Sequence, residues 1–270
     1  MTNIQYSKGV IDATGCISNG WNMLKPNYWL YFGICLVATL AMMVLSCIPC
    51  LNILLTGLVN APLIAGIYYV LLREMRGEPV EFAMMFKGFE KFVPVMVVGF
   101  IQAIPGIIFT ILQWALDLGR LAAQIANGAR RRGDFFQSSD GTEIAIAGGL
   151  IILYIVIAVV FFFFSVAWQI TFAFALPLVV EHDISPIEAI KLSAKAGWGN
   201  AGGLIVLFIL VFLIALAGVF ALCLGIFFVI PLVYASYAFA YRQVFPIPGQ
   251  VPQTVPPPAG NYGGGFGQGM

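Results

Sequence analysis

Charged side chains are scarce in this sequence: thirteen Lys and Arg and twelve Asp and Glu stand among 270 residues, 9% of the chain. A soluble domain carries about 25%. With 61% hydrophobic residues and a mean hydropathy of +0.96, water is excluded as the solvent for most of the surface. The net charge of +1 provides no basic field for nucleic acid. Histidine is nearly absent, and His182 has no second His or Cys beside it, so no metal site is expected. Strand alternation is missing, and no glycine-rich phosphate loop follows a strand. Also missing is an early apolar run: the first begins at Trp29 with no small-residue cleavage site behind it, so insertion without a cleavable signal peptide is expected.

What is present is helix-length apolar sequence. A hydrocarbon core of about 30 Å takes about 20 residues per helix. Laid along the chain, that ruler predicts spans at 29–48, 51–72, 93–116, 144–180, 204–222 and 225–241. Pro49 and Cys50 turn the chain between the first two, and Cys223-Leu224-Gly225 between the last two. The third and fourth stretches are long. The apolar stripe Leu118, Leu121, Ala122, Ile125, Ala129 extends the third helix to about Asn127. The 37 residues of 144–180 make about 55 Å as one helix. A polar tip at 128–143 joins them. The expected fold is an all-α membrane protein, a six-span helical bundle over residues 1–242 built from three hairpins, followed by a Pro/Gly-rich disordered tail at 243–270.

Each hairpin is preceded by a segment with the pattern of an interfacial amphipathic helix. Phe82, Met85, Phe86 and Phe89 form one stripe. Ser185-Pro186-Ile187-Glu188 is a helix start with N-cap, first-turn proline and capping-box Glu, after which Ile187, Ile190, Ala194 and Trp198 face one way. Val10, Thr14, Ile17, Trp21 and Leu24 repeat the pattern near the N-terminus. Nine basic residues, Lys8, Lys25, Arg73, Arg76, Lys87, Lys91, Lys191, Lys195 and Arg242, fall on one side of the spans, against Arg120 and Arg130 to Arg132 on the other. Both termini are therefore expected in the cytoplasm.

The segments also repeat. Pro79-Val80-Glu81 ahead of Val93 matches Pro186-Ile187-Glu188 ahead of Leu204. Pro62-Leu63 leads to Arg73, and Pro231-Leu232 to Arg242, each with 11 residues from Pro to Arg. Ala175 to Val180, Glu181 to Asp183, Ser185 to Ser193 and the closing Pro231-Leu232 to Tyr241-Arg242 resemble the YciC-type uncharacterised membrane families, themselves similar to the membrane domain of some glycerophosphodiester phosphodiesterases. The resemblance covers residues 144 to 245. It implies a six-helix protein of the bacterial cytoplasmic (inner) membrane and no catalytic residue.

Candidates for chemistry are few, and no catalytic, cofactor-binding or metal residue is expected. Cys47 and Cys50 sit in the turn between the first two spans, on the side expected to be extracytoplasmic. They admit three uses: structural thiols, a static disulfide, or a redox pair. Asn52, Thr56 and Asn60 stack at i, i+4, i+8 as a polar seam, with Gln102, Gln113, Ser165 and Gln169 as candidate partners. The spans carry no convincing midplane acid or base of the kind ion-coupled transport uses. Glu181, Asp183 and Glu188 lie where helix capping and solubility account for them. The expected function is a non-enzymatic structural or accessory membrane subunit, in contact with lipids and with other membrane subunits or further copies of itself, and not with nucleic acid. A transporter or lipid-handling protein using the seam is the alternative, and a membrane thiol oxidoreductase the third reading.

Overall fold

A computed structural model describes residues 4–46, 56–131, 141–220 and 225–247. They form α1 (Ala13–Leu24), α2 (Tyr28–Ser46), α3 (Ala61–Glu74, entered through a π-helical turn Thr56–Asn60), a 3-10 segment Phe82–Phe89, α4 (Phe92–Arg131), α5 (Gly141–Phe172), α6 (Ala175–His182), α7 (Pro186–Gly199), α8 (Ala201–Phe220) and α9 (Gly225–Val244). No strand occurs among the described residues. Five stretches there are long and apolar enough to cross a membrane: Ala13–Val44, Phe92–Gly119, Tyr154–His182, Ala201–Phe220 and Gly225–Val244. The protein is thus a helical, multi-pass type of chain. Of the expected span at 51–72, the π-helical turn Thr56–Asn60 and α3, a 14-residue helix that runs on to Glu74, cover 56–72, and 51–55 lie outside the described part.

Burial is concentrated at one end. Leu24, Ile34, Leu71, Leu72, Met85, Val95, Phe174, Leu178, Leu207 and Tyr241 are fully buried where the interhelical connections and both described chain ends meet. Away from this base the helices turn their apolar side chains outward: Phe109, Trp114 and Leu118 on α4, Ile155 and Phe163 on α5, Phe212 and Phe220 on α8. Lipid as solvent explains why large apolar residues need no protein cover there. Phe162, Phe163 and Phe164 are exposed, as a lipid-facing run is expected to be.

The stretch 144–180 is not one helix. It begins earlier, at Gly141, stops at Phe172 and resumes as α6 at Ala175. Pro177 explains the interruption, because its ring displaces the carbonyl four residues back and it has no N–H to donate. Ser193 repairs the break from α7: its hydroxyl accepts from the Phe174 N–H at 3.1 Å and donates to the Thr171 carbonyl at 2.7 Å. The third helix reaches further than the expected Asn127, to Arg131.

The three amphipathic segments pack differently from a helix that lies apolar face down on a core. In α7 the buried face is Ala189, Ser193, Ala196 and Gly197, while Ile187 and Trp198 are 62% and 56% exposed. In α1 it is Ala13, Cys16, Gly20 and Leu24, with Trp21 outside; in the 3-10 segment it is Met85 and Gly88, with Phe82 and Phe86 outside. Small residues allow the backbones to touch. Gly197 lies against the Ile170 carbonyl of α5, Gly88 against Pro62 and Gly66 of α3, and Gly20 against Ser236 of α9. Each segment therefore leans on the helix that ends the preceding pair, and α1 leans on the last helix of all.

The N-terminal arm completes this contact. The Ser7 N–H donates to the Val244 carbonyl at 2.9 Å and the Gly9 N–H to the Gly199 carbonyl at 3.2 Å. Asn200, 3% exposed, accepts from the Val10 N–H and donates to the Ser7 and Ala196 carbonyls. One buried amide thus ties the arm to the α7–α8 junction.

Candidate functional site

The polar groups of the base converge on Glu181. It stands near the C-terminus of α6, eight residues held between the Phe174 break and Asp183, whose φ of 54° ends the helix in a left-handed turn. Ser185 then caps α7 as its sequence predicts, its hydroxyl 3.4 Å from the Glu188 N–H. α3, α6 and α9 all bring their C-terminal ends to this region. The negative ends of three helix dipoles favour cations here, and the sequence supplies them: Arg73 and Arg76 at the end of α3 and Arg242 at the end of α9.

The Glu181 carboxylate is only 10% exposed and both its oxygens are engaged. Oε1 lies 3.2 Å from Arg76 Nη1 and 2.6 Å from Arg242 Nη2. Oε2 accepts from the Tyr241 hydroxyl at 2.7 Å and from Arg242 Nη1 at 2.9 Å. Around this centre, Glu78 pairs with Arg76 at 2.8 Å and with Arg73 at 2.9 Å, and Arg73 Nη1 donates to the Tyr69 hydroxyl. Lys91 donates to the Val180 carbonyl at 3.1 Å and pairs with Asp183 at 3.1 Å, so a lysine from before α4 caps the end of α6. His182 Nε2 is 3.8 Å from Glu181 Oε2.

With three hydrogen bonds and the close Arg242 Nη2 charge contact on its two oxygens, Glu181 is a tie between α3, α6 and α9. Sequence reasoning assigns this residue to solvated helix capping, and the structure corrects that: its partners lie 60, 61 and 105 positions away. One signal was available. Pro62 and Pro231 each precede an arginine by 11 residues, and Pro177 opens the third such helix four residues before Glu181.

Of the residues singled out in the sequence, Cys47, Cys50 and Asn52 lie outside the described residues, as does Cys223. Cys16 and Cys35 are free and buried. Thr56 begins the π-helical turn, and Asn60 is half-buried at the start of α3 without capping it. Gln102 and Gln169 do meet, Nε2 to Oε1 at 3.4 Å, and join α4 to α5. Gln113 and Ser165 are half-buried on the same two helices. Among the described residues no group of His, Cys, Asp and Glu is arranged to hold a metal ion. No family model, curated protein or solved structure matches the chain.

Proposed function

We propose that the chain is a non-enzymatic six-span protein of the bacterial cytoplasmic membrane, of the YciC type, serving as a structural or accessory subunit of a membrane assembly or homo-oligomer. The observation that carries this reading is the length of α4. Its 40 residues make about 60 Å of helix, twice the hydrocarbon thickness. α5 begins at Gly141, 13 residues before the membrane-crossing stretch Tyr154–His182, so both helices extend past their membrane-crossing stretches on the side away from the base. Past the membrane-crossing stretch Phe92–Gly119, α4 runs on to Arg131 with the apolar positions Leu121, Ala122, Ile125 and Ala129 at helical spacing, and apolar surface carried beyond the hydrocarbon calls for a partner to cover it.

The glycine contacts support a bundle of three hairpins closed head to tail, each unit starting on the last helix of the one before. The basic residues at the base support a cytoplasmic placement of both termini. The polar side chains of the base support a structural role, since Glu181 bonds to α3 and α9, Ser193 to the α5–α6 break, and Asn200 to the N-terminal arm.

Photo-crosslinking from positions Leu121 and Ile125, beyond the membrane-crossing stretch, in native membranes tests the reading. Capture of a distinct protein, or of a second copy, is the expected result. Crosslinks to lipid alone, from a chain that purifies in mild detergent as a monomer and moves a solute in liposomes, replace it with transport.

A further inference from the structure

We propose that the outer face of α7, together with Lys8 of the N-terminal arm, is a binding surface for anionic phospholipid headgroups. Among the described residues four basic side chains are paired with carboxylates, and others, Lys25 just past α1 included, are not. Arg73, Arg76, Lys91 and Arg242 are paired with carboxylates around Glu181. Lys8, Lys191 and Lys195 are exposed, and none has an ion-pair partner among the described residues.

These three lysines fall in one place. Ile187, Lys191, Lys195 and Trp198 are spaced by four, four and three residues, which puts them on one side of a helix, and all four are exposed. The arm brings Lys8 to the same end: its Cγ lies 3.0 Å from where a side chain on Gly199 would begin, and the Gly9 N–H binds the Gly199 carbonyl. Trp198 is fixed in position, its indole Nε1 donating to Thr171 Oγ1 at 3.1 Å. The surface therefore combines three unneutralised ammonium groups with an anchored aromatic ring and an apolar Ile187. Glu188 is the acid on this face, in the first turn of α7 and away from the Lys195 and Trp198 end.

The position of the surface selects the occupant. α7 begins at Pro186, four residues past the end of the membrane-crossing stretch Tyr154–His182, and is packed through Gly197 on Ile170 near the end of α5 at Phe172, a placement that suits its outer face to the level where hydrocarbon meets headgroups. A phospholipid carrying net negative charge offers the phosphate that the lysines lack and the acyl chains that Ile187 and Trp198 accept. The corresponding 3-10 segment is built otherwise. There Phe82 and Phe86 are exposed, but Lys87 lies over the Tyr69 ring, and Glu81 and Glu90 flank the segment, so charge complementarity singles out α7.

The test is lipid retention by the full chain, read by native mass spectrometry after extraction from bilayers of equal phosphatidylglycerol and phosphatidylcholine. The wild-type chain is expected to retain phosphatidylglycerol preferentially. At about fivefold per lysine, the combined K8Q, K191Q and K195Q variant is expected to lose about a hundredfold of that preference. Its retention of phosphatidylcholine stays unchanged. K25Q, at the far end of α1, leaves the preference as it was. The single variant K191Q, on an exposed position, gives a graded loss even where the triple variant assembles poorly. Equal retention of the two lipids by the wild-type chain overturns the proposal. So does an undiminished preference in K191Q and the triple variant, and an acidic protein would then be the partner to seek.

Discussion

Arg242 faces Glu181 with both terminal nitrogens, Nη1 2.9 Å from Oε2 and Nη2 2.6 Å from Oε1, so the last turn of α9 is fastened to the last turn of α6. The two side chains are 12% and 10% exposed. At that burial, removing one partner leaves the other charged and without compensation, which costs about 3–5 kcal/mol, whereas an exposed pair contributes under ~1 kcal/mol. Glu181→Ala is therefore expected to lower the thermal midpoint in detergent sharply. Glu181→Ala with Arg242→Met should be less destabilising than Glu181→Ala alone. Equal midpoints for wild type and Glu181→Ala would mean that the cluster is not a structural tie.

Ser193 serves two backbone groups at once, the Phe174 N–H and the Thr171 carbonyl. Ser193→Ala removes the hydroxyl and leaves both backbone groups without it inside a buried contact, which is expected to cost about 1–3 kcal/mol. Ser193→Thr should not rescue it, because the added methyl enters the face that packs on α5. Hydrogen exchange at Phe174 reads the effect directly: its amide should exchange faster in Ser193→Ala while α9 is unchanged.

The Gln102–Gln169 contact at 3.4 Å is long for a hydrogen bond and lies on the open part of the bundle. Side-chain hydrogen bonds between membrane helices average about 0.6 kcal/mol in double-mutant cycles. A Gln102→Leu, Gln169→Leu cycle on thermal stability should give a coupling of about that size. A coupling near the cost of breaking the Glu181 cluster would mean that this amide pair, and the seam around it, has a larger part than the geometry gives it.

Asp12 precedes α1, where the Gly15 backbone N–H and the Thr14 hydroxyl hold its carboxyl below the ordinary value of 3.8. A lowered value in the folded state means stability that is present above pH 3.8 and is lost as pH falls through the folded value. The group is largely exposed, so the effect should stay well under ~1 kcal/mol. Asp12→Asn is expected to lower stability slightly at neutral pH, to leave it nearly unchanged well below pH 3.8, and so to flatten the acid limb of the stability curve. A loss for Asp12→Asn that is as large in acid, well below pH 3.8, as at neutral pH would contradict this assignment.

The sequence by itself determined the solvent, the helices and the caps. Apolar runs of membrane-crossing length need no knowledge of neighbours, since each helix satisfies its own backbone in lipid. The Ser185-Pro186-Glu188 start of α7 and the extension of α4 past Leu116 were likewise legible, because capping and helical periodicity act within a few residues. Pro177 was legible as a residue but not as a break, because proline interrupts a membrane helix only where something else takes up the freed backbone groups. Here that is Ser193, 19 positions from the Phe174 N–H it accepts. Only the tertiary structure decided which face of each amphipathic segment is inside. In water the large apolar side chains would mark the inner face; in a membrane they are content outside, and backbone approach hands the inner face to Gly20, Gly88 and Gly197. Only the tertiary structure turned Glu181 from a capping acid into the junction of α3, α6 and α9, because an ion pair depends on distance in space, and its partners are separated from it by whole helices.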